Sequence, residues 1–522
     1  MLRLIGLLII FLITKMGVTQ PLQISLSQMD ASGHKFQNIT FLLQQAIDSC
    51  HKAGGGTVTL PPGDYTSATI FLRSRVTLQL QAGATLYAST NPDAYDNAPS
   101  SDHPVLIYAE NANNVAIIGH GQIVGQPKYV IEPYDPSKMT ERAYRIAEKD
   151  GLTPMAPVRE TPAVSLITLF NCKKVSISGI TLVNSPFWGL HIQWSQNISI
   201  KKVHIYSNLK MGVNSDGIDI DGSKDITISN SVISTADDAI ALKTTRLGGK
   251  HKPCKNVTVT KCVLTSTSCA LKIGTESYDD FSHILFHDNI IKNTNRALGI
   301  LIRDGGTAHD IIFSKIIVET NRKDVHWWGN GELLTFAILK RNFLSKVGRI
   351  RNVTVKNITA KVQGTSRITG YHDRNIRNIR LQNIKMKINP ERRIDKRTTD
   401  GFQFNNVRNL DLTNVVVKWN KKNHQKTWQS SFSFKDVEKL NVDNLSTGSA
   451  FAESSYPAVD IDDVNEASFD STNALPGTNI FFEIGEDTEE LSFTNNNLNK
   501  AKINYKMEAN ASSNIQIKKS DN

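Results

Sequence analysis

The segment from Gln196 to Ile228, QNISIKKVHIYSNLKMGVNSDGIDIDGSKDITI, begins and ends on one pattern: an Asn-like residue, an aliphatic, any residue, an aliphatic. The same ladder stands at Val175-Ser176-Ile177, Ile198-Ser199-Ile200, Ile226-Thr227-Ile228, Val257-Thr258-Val259, Ile284-Leu285-Phe286 and Ile311-Ile312-Phe313. It continues at Val353-Thr354-Val355, Ile379-Arg380-Leu381, Leu410-Asp411-Leu412 and Leu440-Asn441-Val442, with steps of 23 to 42 residues. Short β-branched runs of period two, separated by Asn, Asp, Ser and Gly, predict several strands per repeat. A leucine-rich repeat has a similar period but needs its own Leu and Asn consensus and usually a helix per unit, which these repeats lack. The reading is an all-β, single-stranded parallel β-helix, right-handed by the crossover rule.

Working outward, Gln37 to Lys52 (QNITFLLQQAIDSCHK) carries apolar residues at helical spacing and stops at Gly54-Gly55-Gly56, which predicts one amphipathic helix capping the first coil. Residues 1–20 pair Arg3 with an apolar run from Leu4 to Ile13, the layout of a secretory signal, and the run is short for a membrane span. No interior linker stands out, so residues 25–522 read as one domain, with the last 70 or so either final coils or an irregular end. Two insertions, about Asn91 to Glu160 and the 42-residue step holding His326-Trp327-Trp328-Gly329, are candidates for cleft walls.

The formal charge of +11, or +9 once Arg3 and Lys15 leave with the signal, suits a polyanionic partner. Export and scattered Lys and Arg favour an acidic polysaccharide over nucleic acid, with no membrane contact after signal removal and a monomeric chain. Cysteine number is five, at positions 50, 172, 254, 262 and 269; Cys254 and Cys262 could bridge, and buried free thiols are the plainer reading. No CxxC or HExxH pattern supports a zinc site. Several of the seven Asn-x-Ser/Thr sequons are the ladder itself and say little about glycosylation.

The chemistry concentrates in Asn214-Ser215-Asp216-Gly217-Ile218-Asp219-Ile220-Asp221 and Asp237-Asp238-Ala239-Ile240-Ala241-Leu242-Lys243. Asp216 precedes the Asp237-Asp238 pair by close to one coil, so the three carboxylates come within several ångströms if they face one cleft. Like charges that close raise at least one pKa, which supplies a proton donor beside an ionised partner. Glycosidic cleavage needs that pair, and inversion usually leaves about 6.5–9.5 Å between the two carboxyls for a water. Taken singly, Asp219, Asp221 and Asp225 read as turn-capping residues.

NSDGIDI and DDAIALK resemble the NTDGxDI and DDxxAxK signatures of glycoside hydrolase family 28, the polygalacturonases and their pectin-degrading relatives. GGGTVTLPPGDY (Gly54 to Tyr65) and SGITLVNSPFWGLH (Ser178 to His191) are similar to that family too. The resemblance implies an inverting hydrolase of α-galacturonosyl bonds in pectin, without metal or other cofactor. Asp237 would be the general acid, Asp216 and Asp238 would hold and activate the water, and Asn214 would position substrate or carboxylate. The chain departs from the family where Cys269 takes the place of a histidine and where Leu301-Ile302-Arg303 stands for Arg-Ile-Lys. These departures point toward exo-action or toward a rhamnose-containing or decorated substrate. Arg303 and Lys272 are the remaining candidate cations for a uronate, Lys272 being otherwise a solvated rim lysine, and Trp327 and Trp328 either stack on sugar rings or plug the core beneath their loop. Two other readings stand beside this one: a polysaccharide lyase on the same scaffold, and a non-catalytic polysaccharide-binding solenoid.

Overall fold

The computed structural model describes residues 21–26, 37–96, 98, 103–133, 155–159, 162–323, 328–371, 375–393, 396–485, 487–507 and 516–519. The segment read as a signal and Trp327 lie outside them.

The ladder residues stack directly on one another. Val175 pairs with Ile198, Ile198 with Ile226, Ile226 with Val257 and Val257 with Ile284. The stack runs on through Ile311, Val353, Ile379, Leu410 and Leu440, all in parallel register. Each position repeats an aliphatic side chain one strand spacing from its neighbours, so every coil buries its apolar face on the next. Aromatics do the same: Phe286, Phe313 and Phe336 stack at 4.9 and 5.8 Å.

The polar partner of this stack lies outside. Asn352, Asn378 and Asn409, which precede ladder strands, hold left-handed φ of 55–58°, a region Asn tolerates better than most residues. Their amides bond coil to coil, Asn378 Nδ2 donating to Asn352 Oδ1 at 2.9 Å and Asn409 Nδ2 to Asn378 Oδ1 at 2.9 Å. A corner and a ladder thus follow from one residue type at a fixed position.

The helix spans Thr40–Lys52, and Gln37–Asn38 before it is a strand. It starts where Asn38 Oδ1 accepts the Thr40 amide at 3.0 Å. Leu43, Ala46, Ile47 and Cys50 face the first coil, where helical periodicity placed them. At the other end the coils continue: Leu440 pairs with Ala467, and Ala467 with Leu491. All five cysteines are buried and free, Cys254 and Cys262 included. The insertion after Asn91 contributes an antiparallel pair, Tyr129–Pro133 with Met155–Arg159. Among the described residues no helix is long and apolar enough to cross a membrane.

A second face of each coil carries the strands Leu190–Gln193, Ile218–Asp221, Ile240–Thr244, Cys269–Ser277, Arg296–Ile302 and Glu332–Ile338, paired in parallel order. This sheet carries the carboxylate site.

Candidate active site

Asp216 sits in the turn before strand Ile218–Asp221, and Asp237 and Asp238 sit in the equivalent turn of the next coil. The two turns are pinned together by Gly217 N on Asp238 O at 2.9 Å and Ile218 N on Ala239 O at 3.1 Å. Gly217 is required there, because a Cβ would stand 2.5 Å from Ala239 O. One carboxylate oxygen from each of Asp216, Asp237 and Asp238 lies within 4.8 Å of the others.

Each acid has a different environment. Asp238 is 1% exposed and accepts from three donors: Ser268 Oγ at 2.9 Å, Cys269 N at 3.2 Å and Lys272 Nζ at 2.5 Å. Asp216 is 3% exposed, with Lys243 Nζ at 3.5 Å. Asp237 is half-buried, and its Oδ1 accepts the Asp238 amide at 2.9 Å. Burial, then Asp216 and Asp238, push the Asp237 carboxyl well above the usual carboxylate range. Asp216 is raised as well, by burial and then by Asp219.

Five further residues complete the cluster. Lys243 alternates with core residues Ile240 and Leu242 and so faces outward, where it meets Asp216, Asp219 at 3.4 Å and Glu276 at 3.3 Å. Burial pushes Asp219 up to about 7; beside the Lys243 contact, neither of its oxygens makes a hydrogen bond among the described residues. Burial alone would raise Glu276, yet Lys243, Lys272 and Arg341 hold it well below the usual range. The Lys243 ammonium also lies 4.2 Å from the Trp188 ring centroid. Strand alternation could have placed Lys243 in the sequence; Arg341 reaches Glu276 at 3.3 Å from an insertion far along the chain, and nothing local announces it.

Of the other candidates, Lys272 and Cys269 adjoin Asp238. Asn214 is exposed, with φ +54°, and makes no hydrogen bond to a described residue. Lys272 is committed to Asp238 rather than standing on the rim. Arg303 lies one residue past the end of strand Arg296–Ile302, its main-chain amide on Ser277 Oγ at 2.8 Å. Trp328 is 47% exposed. Cys269 is fully buried next to Asp238, and burial drives its thiol pKa up.

The three oxygens are close enough to share a cation. Two ammonium groups already offset that charge, Lys243 beside Asp216 and Lys272 beside Asp238. What the arrangement can do without a metal is give up a proton from the most accessible acid while its neighbours bind and deprotonate a water.

Comparison with known proteins gives a consistent picture. The model of Glycosyl hydrolases family 28 matches residues 50–399. An exo-poly-alpha-D-galacturonosidase of Dickeya chrysanthemi is 26% identical over 398 residues, which cover 67% of this chain and 64% of that enzyme. An endo-polygalacturonase of Pectobacterium carotovorum subsp. carotovorum is 25% identical over 361 residues, covering 66% of this chain and 84% of that one. Among solved structures, a hyperthermoactive exopolygalacturonase from Thermotoga maritima superposes with a TM-score of 0.60 at 21% identity, over 76% of this chain and 91% of its own. At that identity the likeness speaks to the fold.

Proposed function

Because the chain belongs to glycosyl hydrolases family 28, we propose that it is an exported, monomeric, inverting glycosidase that hydrolyses α-galacturonosyl linkages in pectin. The observation that carries this is the meeting of Asp216, Asp237 and Asp238 from adjacent coils, their oxygens within 4.8 Å. Asp237, the most accessible of the three, with a carboxyl raised by burial and its neighbours as that of Asp216 also is, protonates the glycosidic oxygen as the bond to the anomeric carbon breaks. Asp238 and Asp216 hold a water against the opposite face of the sugar and take its proton as the new C–O bond forms. Lys272 and Lys243 support the charged forms of these two acids.

A gap under 4.8 Å between oxygens is tighter than the usual two-carboxylate rule for inversion. Here the water is shared by two acids rather than placed between one acid and one base, and the resemblance supports inversion. The related enzymes act in both exo and endo modes, so product length decides the mode for this chain.

The test is to incubate the protein with pectic oligosaccharides, with and without chelator, and follow the newly formed anomer by NMR. Expected are saturated products, an inverted first anomer and no effect of chelator. An unsaturated, UV-absorbing product abolished by chelator identifies a lyase instead. Tight binding with no change in polymer size identifies a non-catalytic solenoid.

A further inference from the structure

An outward row of the carboxylate sheet runs past Lys272 through Gly299 and Thr335 to Arg367, each paired in parallel register with the next. Gln403 follows Arg367 in the same row. Phe336, Ile368, Phe402 and Phe404 alternate with these residues and are buried in the core, so Thr335, Arg367 and Gln403 face outward on the side that carries Lys272. Arg367 therefore stands three strand spacings from Lys272, roughly 14 Å.

Five other cations of this sheet stand against carboxylates. Lys243 meets Asp216, Asp219 and Glu276, Lys272 meets Asp238, and Arg296 meets Glu332. Lys435 lies 3.1 Å from Asp462, and Lys506 pairs with Glu483. Arg367 departs from that pattern. Among the described residues its one hydrogen bond runs from Nε to Gln403 Oε1 at 2.9 Å, a neutral acceptor.

Gln403 is itself fixed, its Nε2 donating to Asp400 Oδ2 at 2.6 Å and to Thr399 Oγ1 at 3.3 Å. Asp400 feels the charge of Arg367, but it is 3% exposed, accepts Ser430 N at 3.0 Å and is raised by burial, which favours its neutral form. It anchors Gln403 without pairing with the guanidinium. Holding Nε leaves the two terminal amino groups of Arg367, the end that forks onto a carboxylate, without a bond among the described residues. A guanidinium steadied in this way has little freedom left to lose when a ligand closes on it.

A pyranose in an extended chain advances by about one strand spacing, so a polymer lying along this row from the three acids brings a distant unit over Arg367. Building on the hydrolase reading, we propose that Arg367 forms a distal carboxylate-binding site, which takes the free carboxylate of a uronate roughly three units along the chain from the sugar above Lys272. A methyl ester at that unit forfeits the forked contact, so binding depends on charge well away from the bond that breaks.

Calorimetry on the Asp237→Asn protein tests this without turnover, using a galacturonate heptamer as the free acid and the same heptamer methyl-esterified. Arg367→Gln, made in that background, should weaken the free acid at least ten-fold and leave the esterified heptamer where it was, bound or not. Arg367→Lys, which keeps the charge but not the fork, should fall between. With Asp237 intact, Arg367→Gln should raise KM for the free acid by a similar factor and hold kcat within two-fold. An unchanged affinity for the free acid, an equal loss for both heptamers, a fall in kcat with KM unmoved, or no binding of either probe overturns the inference. If the ten-fold loss holds yet the wild-type protein cleaves neither heptamer, the hydrolase reading fails and the carboxylate site stands; if the heptamer is cleaved and Arg367→Gln changes neither affinity nor KM, the reverse is true.

Discussion

Lys272 Nζ lies 2.5 Å from Asp238 Oδ2, with the lysine side chain only 11% exposed. The pair joins successive coils, since Lys272 sits on strand Cys269–Ser277 and Asp238 on the turn of the coil before. Burial by itself would favour a neutral lysine, yet Asp238 raises the Lys272 pKa above its ordinary value. The ammonium therefore acts on the carboxylate, not on solvent.

Lys272→Met should lower kcat about 100-fold with a small change in KM, because Asp238 loses the cation that fixes its charge and orientation. Had the lysine served to grip a uronate, KM would rise and kcat would hold. Steady-state kinetics on a single pectic substrate separates these, and unfolding in urea should show a loss on the order of 3 kcal/mol from the widowed buried charge.

Asp237→Asn keeps the shape of the side chain and the acceptor for the Asp238 amide but has no proton to give. Activity should fall at least 1,000-fold while the thermal midpoint changes by no more than a degree or two. In the wild-type enzyme the alkaline limb of kcat/KM reports loss of this proton, so it should lie well above the ordinary carboxylate range, in line with the raised Asp237 carboxyl. A rate that falls away already at pH 4–5 contradicts the assignment.

Asp219 makes a prediction about stability. Its folded pKa is about 7 against an ordinary 3.8, raised first by burial. Between those values the folded chain holds a proton that the unfolded chain has released, so stability is greatest below the ordinary value and declines as pH rises toward 7. Asp219→Asn should flatten that decline. Urea midpoints of both proteins at pH 4, 5.5 and 7 measure the difference in slope; parallel curves would show that Asp219 ionises freely in the fold.

The fold was legible because the solenoid repeats its chemistry. Asn352, Asn378 and Asn409 each precede an aliphatic-x-aliphatic step, and each does the same job at the same corner, so one position teaches the next. The convergence of Asp216 with Asp237 and Asp238 could be read for the same reason, from a spacing near one coil. Side chains that reach their partners from an insertion were not legible. Nothing near Arg341 foretells its reach to Asp304 and Glu276, since the distance in sequence is set by an insertion rather than by the repeat. Arg303, the last cation of the motif, follows directly on the strand that pairs Leu301 with Gly274 and ends at Ile302. Lys272 was ambiguous between rim and interior because a long side chain can do either, and only Asp238 decides it.

Gly217 offers the most direct check on how the carboxylate turns are held. It accepts no side chain: a Cβ would meet Ala239 O at 2.5 Å and Ile233 Cγ2 at 2.7 Å. Its amide bonds to Asp238 O, so any shift made to relieve the clash moves Asp216 relative to Asp238. Overpacking of this kind costs about 1–3 kcal/mol, a modest part of what a long stack of coils holds, so Gly217→Ala should still fold. Its kcat should fall at least ten-fold, since a misplacement near 1 Å is enough to disturb reacting groups. Circular dichroism and turnover measured on the same preparation decide the matter. Native-like spectra with unchanged kcat would mean that the two turns tolerate being pushed apart, and that the close contact between neighbouring coils is not what sets the geometry of the three acids.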